Sequence, residues 1–596
     1  MPAKKQIEKS GIAWAMSFFK WKLKHFTDSQ RFVFLCVVVG VLCGFIAVGF
    51  HLAIHYVFGK MWEIFADASP LIWLTLPLMP AVGGLFVGIA LYKFPSASGS
   101  GIPQTKAAFH NNFGLIRFRD GILRFIISTI SLGTGTSLGR EGPTVHLCAA
   151  VASKVGQVFG LAKNKIQAMI PVGVGAGIAS AFNTPISAIT FVFEELLDDF
   201  NSKALGGILL AVVIAATIAR AILGENPAFQ LETYTFHSYS WVFISPIVGL
   251  SAGVAGIYFV RILLAWRERV KESNIPVIFR PALGGLAVGI IGVSVFLLTD
   301  RQHNGIFGIG YEDLSSVLAG NIVLKAAILL LIGKFVACLL AYSFGGSGGL
   351  FAPVLFIGGM LGGCIGLLLK LFWDLDASVV GAVSLLGMGA FFAAVIRCPI
   401  TSILIIFEMT LNYEIILPLM IGNMLAYYIS NKYRPISVYN ELLLQDKINL
   451  RNMPSFQGAQ DWRNLPISAI MTHDVITISA EKTIAETLIE VKDHKHHAYP
   501  VRKNDRTLCG IITDHDMKET TWNKRGITIE EFLKTKRALV TLTPDVSIRE
   551  AARVLVQEDV MQVPVVRRKD QDRLVGIITL HDVARAQNSV ADSMGA

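Results

Sequence analysis

Apolar positions dominate the chain from Phe32 to about Asn431 and thin out abruptly beyond it. Runs such as FVFLCVVVGVLCGFIAVGF (32–50), WVFISPIVGLSAGVAGIYFV (241–260) and AAILLLIGKFVACLLAY (326–342) are almost unbroken, and about 20 residues of helix cross a bilayer core. They predict membrane-spanning helices. The stretches 97–197 and 342–411 are instead interrupted by Gly and Pro, and lipid tolerates irregular backbone only where protein buries it or it lines a cavity. That pattern predicts a transport path rather than simple anchors. Beyond Asn431 charges become dense, and short β-like segments such as VITI and GIIT alternate with amphipathic helical patterns such as TIAETLIEVKDH, as in a soluble α/β module. A membrane part (32–443), a polar linker (444–463) and a C-terminal module (464–590) are expected.

Both parts repeat internally. FNTPISAITFVFEEL (182–196) lies over IRCPITSILIIFEMT (396–410), with Pro185 on Pro399, Ile186 on Ile400 and Glu194 on Glu408, an offset of 214. LGREGP (138–143) lies over GGLFAP (348–353), Gly139 on Gly349 and Pro143 on Pro353, an offset of 210. Two similar offsets in the same order predict two halves of one ancestral unit, roughly 32–224 and 240–443. Half-length repeats built from broken helices mark transporters with inverted-topology repeats, whose substrate site lies between the halves near the midplane. An odd number of crossings in the first half makes the second inverted. In the C-terminal module CGIITDHDM (509–517) matches VGIITLHDV (575–583), Thr513 on Thr579 and Asp516 on Asp582. It reads as two tandem copies, about 464–522 and 530–588.

Composition agrees with a membrane protein: 53% hydrophobic residues, 16% charged, and a mean hydropathy of +0.55. The net charge of +10 does not call for nucleic acid, because much of the basic excess flanks membrane segments. In residues 1–31, Lys4, Lys5, Lys9, Lys20, Lys22 and Lys24 are interleaved with Trp14, Phe18, Phe19 and Trp21, as in an interfacial amphipathic helix. This segment predicts a cytoplasmic N-terminus, and no cleavable signal is expected. An even number of crossings in all puts the C-terminal module on the same side. The seven cysteines (36, 43, 148, 338, 364, 398, 509) include no CxxC and lie mostly in apolar runs, so neither a disulfide framework nor a metal site is expected.

Three glycine-containing elements share a design: GSGIP (99–103), GREGP (139–143) and GGLFAP (348–353) each end in a proline heading an apolar run. Proline suits the first turn of a helix, where its missing N–H would be unpaired anyway. Each element predicts a loop feeding a helix N-terminus, which exposes N–H groups and about half a positive charge. Several converging in the membrane make an anion site without a full cation, which would bind too tightly for release. Singly they could be ordinary helix-breaking turns; three in one repeated domain favour the site.

GSGIPQ (99–104), GREGP (139–143) and GSGGLFAPVLFIGG (346–359), in that order, resemble the signature elements of the CLC chloride channels and chloride/proton antiporters, over about residues 32–443. The tandem module resembles a pair of CBS domains. The resemblance implies an all-α polytopic membrane protein of two inverted-topology repeats with a small cytoplasmic α/β CBS pair. It also implies a homodimer, with an anion path in each subunit, in a bacterial inner membrane. Chloride and protons would be the transported species, with no enzymatic activity and no required cofactor. Residue by residue, Ser100 matches the hydroxyl donor to the central chloride, and serine there resembles the chloride-preferring members. Tyr439 in RPISVYNELL is the expected second donor, with Tyr433 as competitor. Leu350 and Phe351 match the positions whose backbone N–H groups face the anion. The turns are expected from Gly99, Gly101, Pro103, Gly139, Arg140, Gly142, Pro143, Gly349 and Pro353.

Glu141 matches the family's external gating glutamate. A carboxylate is itself an anion, so when ionised it competes for a chloride site, and when protonated it swings away. An ion pair with Arg140 is the structural alternative, although adjacent residues face each other poorly and charge at membrane depth is costly. In FVFEEL, Glu194 has a repeat counterpart, which suggests a shared structural role. Glu195 lies over Met409 and aligns with the family's internal proton-transfer glutamate, which channels commonly lack. Otherwise it is a cytoplasmic helix-end charge ahead of Asp198 and Asp199. His146 is a proton-relay candidate or a hydrogen-bonded core histidine. His494, His496 and His497 lack supporting ligands for a metal and suggest a solvated turn.

In each CBS copy the threonine–aspartate pair can simply cap a helix. The CBS resemblance implies more: Thr513, Asp516, Thr579 and Asp582 match positions that hold a ribose, so ATP, ADP or AMP would bind between the copies. The expectation is chloride/proton exchange, with a passive CLC channel as the alternative. A CBS-linked cation transporter, which should line its path with acids, and a non-transporting nucleotide sensor fit less well.

Overall fold

The computed structural model describes residues 27–67, 71–197, 204–224, 241–372, 377–448, 450 and, with short gaps at 493, 495, 504–506, 521–525, 536–538 and 568–569, residues 465–586. The basic N-terminal segment, Asp198, Asp199 and most of the linker lie outside the described residues. The chain divides into two compact units, Met1–Gly458 and Ala459–Ala596.

Among the described residues of the first unit, eight helices are followed by eight more of matching order. The first set is α1 (Asp28–Trp62), α2 (Ile72–Lys93), α3 (Ile102–Asn111), α4 (Phe118–Gly133), α5 (Glu141–Val158), α6 (Lys163–Phe182), α7 (Pro185–Phe191) and α8 (Leu205–Leu223). The second is α9 (Trp241–Glu272), α10 (Arg280–Leu298), α11 (Tyr311–Leu318), α12 (Leu324–Ser343), α13 (Phe351–Phe372), α14 (Ala377–Ile396), α15 (Pro399–Thr410) and α16 (Ile416–Tyr433), and α17 (Val438–Gln445) closes the unit. Among the described residues nine helices are long and apolar enough to cross a membrane; this is a multi-pass membrane protein. The third and seventh helix of each set are short, as the broken apolar pattern predicts. The window in α14 is 94% buried and that in α6 89%, against 39% in α8, so α6 and α14 are apolar all round because other helices enclose them.

The halves meet as partners related by a two-fold axis. A Cβ on Gly84 of α2 would strike the Pro281 carbonyl of α10, and one on Gly285 would strike the Pro80 carbonyl. PAVGGL (80–85) and PALGGL (281–286) are themselves repeat-related, a match that alignment of the polar motifs alone overlooks. Gly88 meets Ile278 and Gly289 meets Pro77, so the contacts run in opposite directions and the two helices are antiparallel. Reciprocal contacts of this kind define an isologous two-fold interface, and antiparallel repeat-mates make the second half inverted. Small residues let the backbones touch where lipid supplies no hydrophobic drive. α13 and α14 do the same, Gly358 against Gly387 and Gly362 against Val383.

Among its described residues the second unit holds two sheets. β1 (Ile478–Ser479) runs parallel to β2 (Ala498–Arg502), which pairs antiparallel with β3 (Leu508–Thr513); β4 (Gln562–Arg567) pairs antiparallel with β5 (Asp570–Thr579). Pro500 faces Ile511 and Pro564 faces Ile577, so the repeated sequences take the same register. The cores cross the sequence boundaries of the copies. Ile467 and Met471 pack with Ile548, Val563 and Ile578, while Ile529 packs with Ile484, Tyr499 and Ile512. Each copy borrows a segment preceding the other to complete its apolar face.

Replacing Gly285 by leucine drives a side chain into the α2 backbone, and overpacking of a rigid core costs about 1–3 kcal/mol or more. The expected outcome is loss of the monodisperse peak in size-exclusion chromatography after detergent extraction. A Gly206→Leu control, where a Cβ meets nothing within 4 Å, keeps it.

Candidate anion and proton site

The glycine motifs converge on the two-fold axis. Gly139 donates its N–H to the Gly349 carbonyl at 2.8 Å and Gly349 returns the bond at 2.6 Å, so two residues that the repeat equates pair with each other. α5 begins at Glu141, with Pro143 in its first turn; α13 begins at Phe351, with Pro353 in its first turn; α3 begins at Ile102, followed by Pro103. A Cβ on Gly142 would lie 2.6 Å from the Ser100 hydroxyl, and one on Gly349 would lie 2.9 Å from the Gly142 nitrogen. Helix N-termini from both halves, with the Gly99–Gly101 loop beside them, thus present N–H groups and positive dipole ends to one small region. Phe351 is anchored by rings at 4.7 Å (Phe182) and 4.5 Å (Phe392), and Leu350 is fully buried.

Glu141 is fully buried and lies against these N-termini, its Oε2 accepting from the Ala352 N–H at 3.4 Å. Among the described residues Arg140 forms no ion pair with it; the Arg140 Nη2 donates to the Ala181 carbonyl at 2.9 Å. Ser100 and Tyr439 are fully buried, and neither hydroxyl has a hydrogen-bond partner among the described residues. Buried hydroxyls are rarely left unpaired without a reason. An anion accepting from both would satisfy them. Tyr439 lies within electrostatic reach of Glu195 and Glu141, whereas its competitor Tyr433 is 70% exposed.

The adjacent Glu194 and Glu195 part company. They lie on a wide π-type turn, Val192–Leu197, that continues α7. Glu194 caps α15, accepting from Ile400 N (3.0 Å), Thr401 N (2.8 Å) and the Thr401 hydroxyl (2.7 Å). Glu408 caps α7 in return, accepting from Ile186 N (2.8 Å), Ser187 N (2.7 Å) and the Ser187 hydroxyl (2.7 Å). The carboxylate common to both repeats is therefore structural. Glu195 turns inward and pairs with Lys106 Nζ at 2.9 Å, the two side chains 4% and 3% exposed. Beside the pair is a small cavity lined by Thr105, Val145 and Phe191 among others.

His146 meets the Thr105 hydroxyl through Nδ1 at 3.0 Å, as a core histidine does. Arg124 donates to the Gly99 and Ser96 carbonyls at 2.9 and 3.0 Å and so holds the Ser100 loop. Neither Lys106 nor Arg124 was singled out from the sequence; both are buried in the membrane unit, and a buried charge at membrane depth is a functional signal by itself. In the CBS copies the threonines and aspartates cap helices: Thr513 N reaches Asp516 Oδ2 at 3.2 Å, Thr579 N reaches Asp582 Oδ2 at 3.0 Å, and each aspartate N–H returns a bond to its threonine at 3.0 Å. No cluster that could hold a metal, at the histidines or elsewhere, occurs among the described residues.

An inverted repeat of broken helices, with helix N-termini and unpaired hydroxyls at its centre, defines a membrane transport protein. Residues 83–431 match the family model described as voltage gated chloride channel, and 467–521 and 529–589 match that of the CBS domain. The chain belongs to the voltage gated chloride channel (CLC) family and carries two CBS domains. It is 30% identical over 437 residues, 71% of this chain and 92% of the relative, to the H(+)/Cl(-) exchange transporter ClcA of Vibrio parahaemolyticus serotype O3:K6 (strain RIMD 2210633). The crystal structure of a slow cyanobacterial Cl-/H+ antiporter superimposes with a TM-score of 0.64 at 26% identity, covering 71% of this chain and 99% of that one. A eukaryotic CLC transporter, 19% identical, shares the fold over 93% of this chain and 98% of its own, with a TM-score of 0.60.

Lys106→Met leaves the Glu195 carboxylate without its cation, and breaking a buried pair from one side costs about 3–5 kcal/mol. The thermal midpoint of the purified variant should fall by several degrees, and adding Glu195→Gln should restore much of the loss. Independent, additive effects in this double-mutant cycle would refute the coupling.

Proposed function

We propose that this protein exchanges chloride for protons across a bacterial inner membrane. It works as a homodimer with an anion path in each subunit and with both termini in the cytoplasm. The observation that carries the reading is the set of two buried carboxylates, Glu141 and Glu195, with Tyr439 in electrostatic reach of both. The exchange activity in the names of its relatives agrees with it.

Chloride is held by the Ser100 and Tyr439 hydroxyls and by the backbone N–H groups at Leu350 and Phe351. Gly99, Gly101, Pro103, Gly139, Gly142, Pro143, Gly349 and Pro353 shape the helix ends, with Arg140 as a field element. When ionised, Glu141 takes the anion's place; when protonated, it loses its attraction to the N–H groups and vacates the site. Glu195 passes protons to and from the inner side. Exchange follows because the gate opens to chloride only after accepting a proton. The repeat confines that role to one half, since the position of Glu141 is occupied in the other by Phe351, which cannot titrate.

In reconstituted liposomes, Glu141→Gln and Glu195→Gln should each abolish proton movement while chloride still moves. Proton pumping against a gradient that persists in either variant would sink the assignment, and a wild type without proton movement would make it a channel.

The CBS pair is proposed to bind adenine nucleotide between its copies, with Thr513, Asp516, Thr579 and Asp582 at the ribose. Calorimetric titration of the full chain with ATP, ADP and AMP should give a saturable heat that Asp516→Ala with Asp582→Ala removes. Absence of heat at millimolar nucleotide would leave those residues as helix caps only.

A further inference from the structure

The loop before α11 repeats the loop that carries Ser100. GIGYEDL (308–314) lies over GSGIPQT (99–105) at an offset of 209, with Gly308 on Gly99, Gly310 on Gly101 and Tyr311 on Ile102. The backbones agree: φ is 78° and 99° at Gly99 and Gly101, and 59° and 83° at Gly308 and Gly310, a region that side chains rarely enter.

The pinning is repeated as well. Arg124 of α4 holds the carbonyls of Gly99 and Ser96, and Lys334 of α12 holds those of Gly308 and Gly305 at 2.7 and 2.8 Å. Gly305 lies over Ser96 at the same offset, and Lys334 lies over Arg124 at 210. Both cations are fully buried and grip carbonyls. Asp313 adds a further tie, its Oδ2 accepting from Gly305 N at 2.6 Å and its Oδ1 meeting His303 Nδ1 at 2.7 Å. Two equivalent rigid loops therefore flank the helix N-termini, one from each half. The first presents Ser100 beside Gly142. The second ends in Tyr311, whose hydroxyl is buried and faces the Glu141 carboxylate.

We propose that Tyr311 is the latch of the gate: its hydroxyl donates a hydrogen bond to the ionised Glu141 carboxylate and holds it in the anion's place. The second-half loop then seats the protein's own anion, as the first-half loop seats the transported one. This rests on the reading of Glu141 as the gate. The other groups facing the carboxylate are Arg140 from its own helix and, at longer range, Tyr439 of α17; α13 contributes a backbone N–H at Ala352. A phenol donates to a carboxylate more strongly than to a neutral carboxyl, so the latch acts on the blocked, ionised state and releases on protonation.

Tyr311→Phe keeps the ring and removes only the hydroxyl. Chloride efflux from liposomes holding the full chain is recorded over a series of outer pH values for the wild type, Tyr311→Phe, Glu141→Gln and the double variant. Losing one charge-assisted hydrogen bond should raise efflux near neutral pH about tenfold and move its midpoint up by about one pH unit, with proton coupling kept. Glu141→Gln should lose the pH dependence, and the double variant should match it. A Tyr311→Phe profile that overlays the wild type, while Glu141→Gln is pH-independent, overturns the latch and leaves the gate standing. A Glu141→Gln profile that still follows pH overturns the gate, and the latch with it.

Discussion

Two backbone hydrogen bonds between Gly139 and Gly349 set the geometry of everything around them. A residue that bonds its own repeat-mate reciprocally must lie at the two-fold axis, and these bonds of 2.8 and 2.6 Å therefore locate the axis at the start of α5 and α13. A side chain at either position has no room: a Cβ at Gly139 would press on the Glu141 carboxylate and on Ala352, and one at Gly349 on the Gly142 nitrogen. The helix ends can approach because both residues are glycine, and their partial charges then act on one place.

Charges buried at membrane depth need partners, and the fold supplies them in symmetric pairs. Glu194 caps α15 while Glu408 caps α7; Arg124 and Lys334 hold the carbonyls of equivalent loops. The residues proposed for function sit where the symmetry fails. Glu141 lies over Phe351, Glu195 over Met409, Ser100 over Ile309 and Tyr311 over Ile102. A symmetric frame sets the helix ends, and the side chains proposed to carry the transport chemistry are the unsymmetric ones.

The membrane class, the two halves, the soluble module and the three loops at helix starts were legible in the sequence, since hydropathy, glycine, proline and internal offsets are properties of the chain itself. The structural reading of Glu194 was legible for the same reason, through its repeat-mate Glu408. The repeats PAVGGL/PALGGL and GSGI/GIGY were equally present but rest on few residues, and only the contacts around Gly84, Gly285, Arg124 and Lys334 make them stand out.

What the sequence alone determined was register: which segments are apolar enough for lipid, where helices must begin, and which residues of one half correspond to those of the other. The tertiary structure alone decided partners. Glu194 and Glu195 are neighbours in the chain, yet one reaches Thr401, 207 residues away, and the other Lys106, 89 residues away. Tyr311 comes to face Glu141 only after the halves close on each other. The physical reason is that hydropathy acts on each residue where it stands, whereas a hydrogen bond or ion pair forms only when folding brings its two distant groups within about 3 Å.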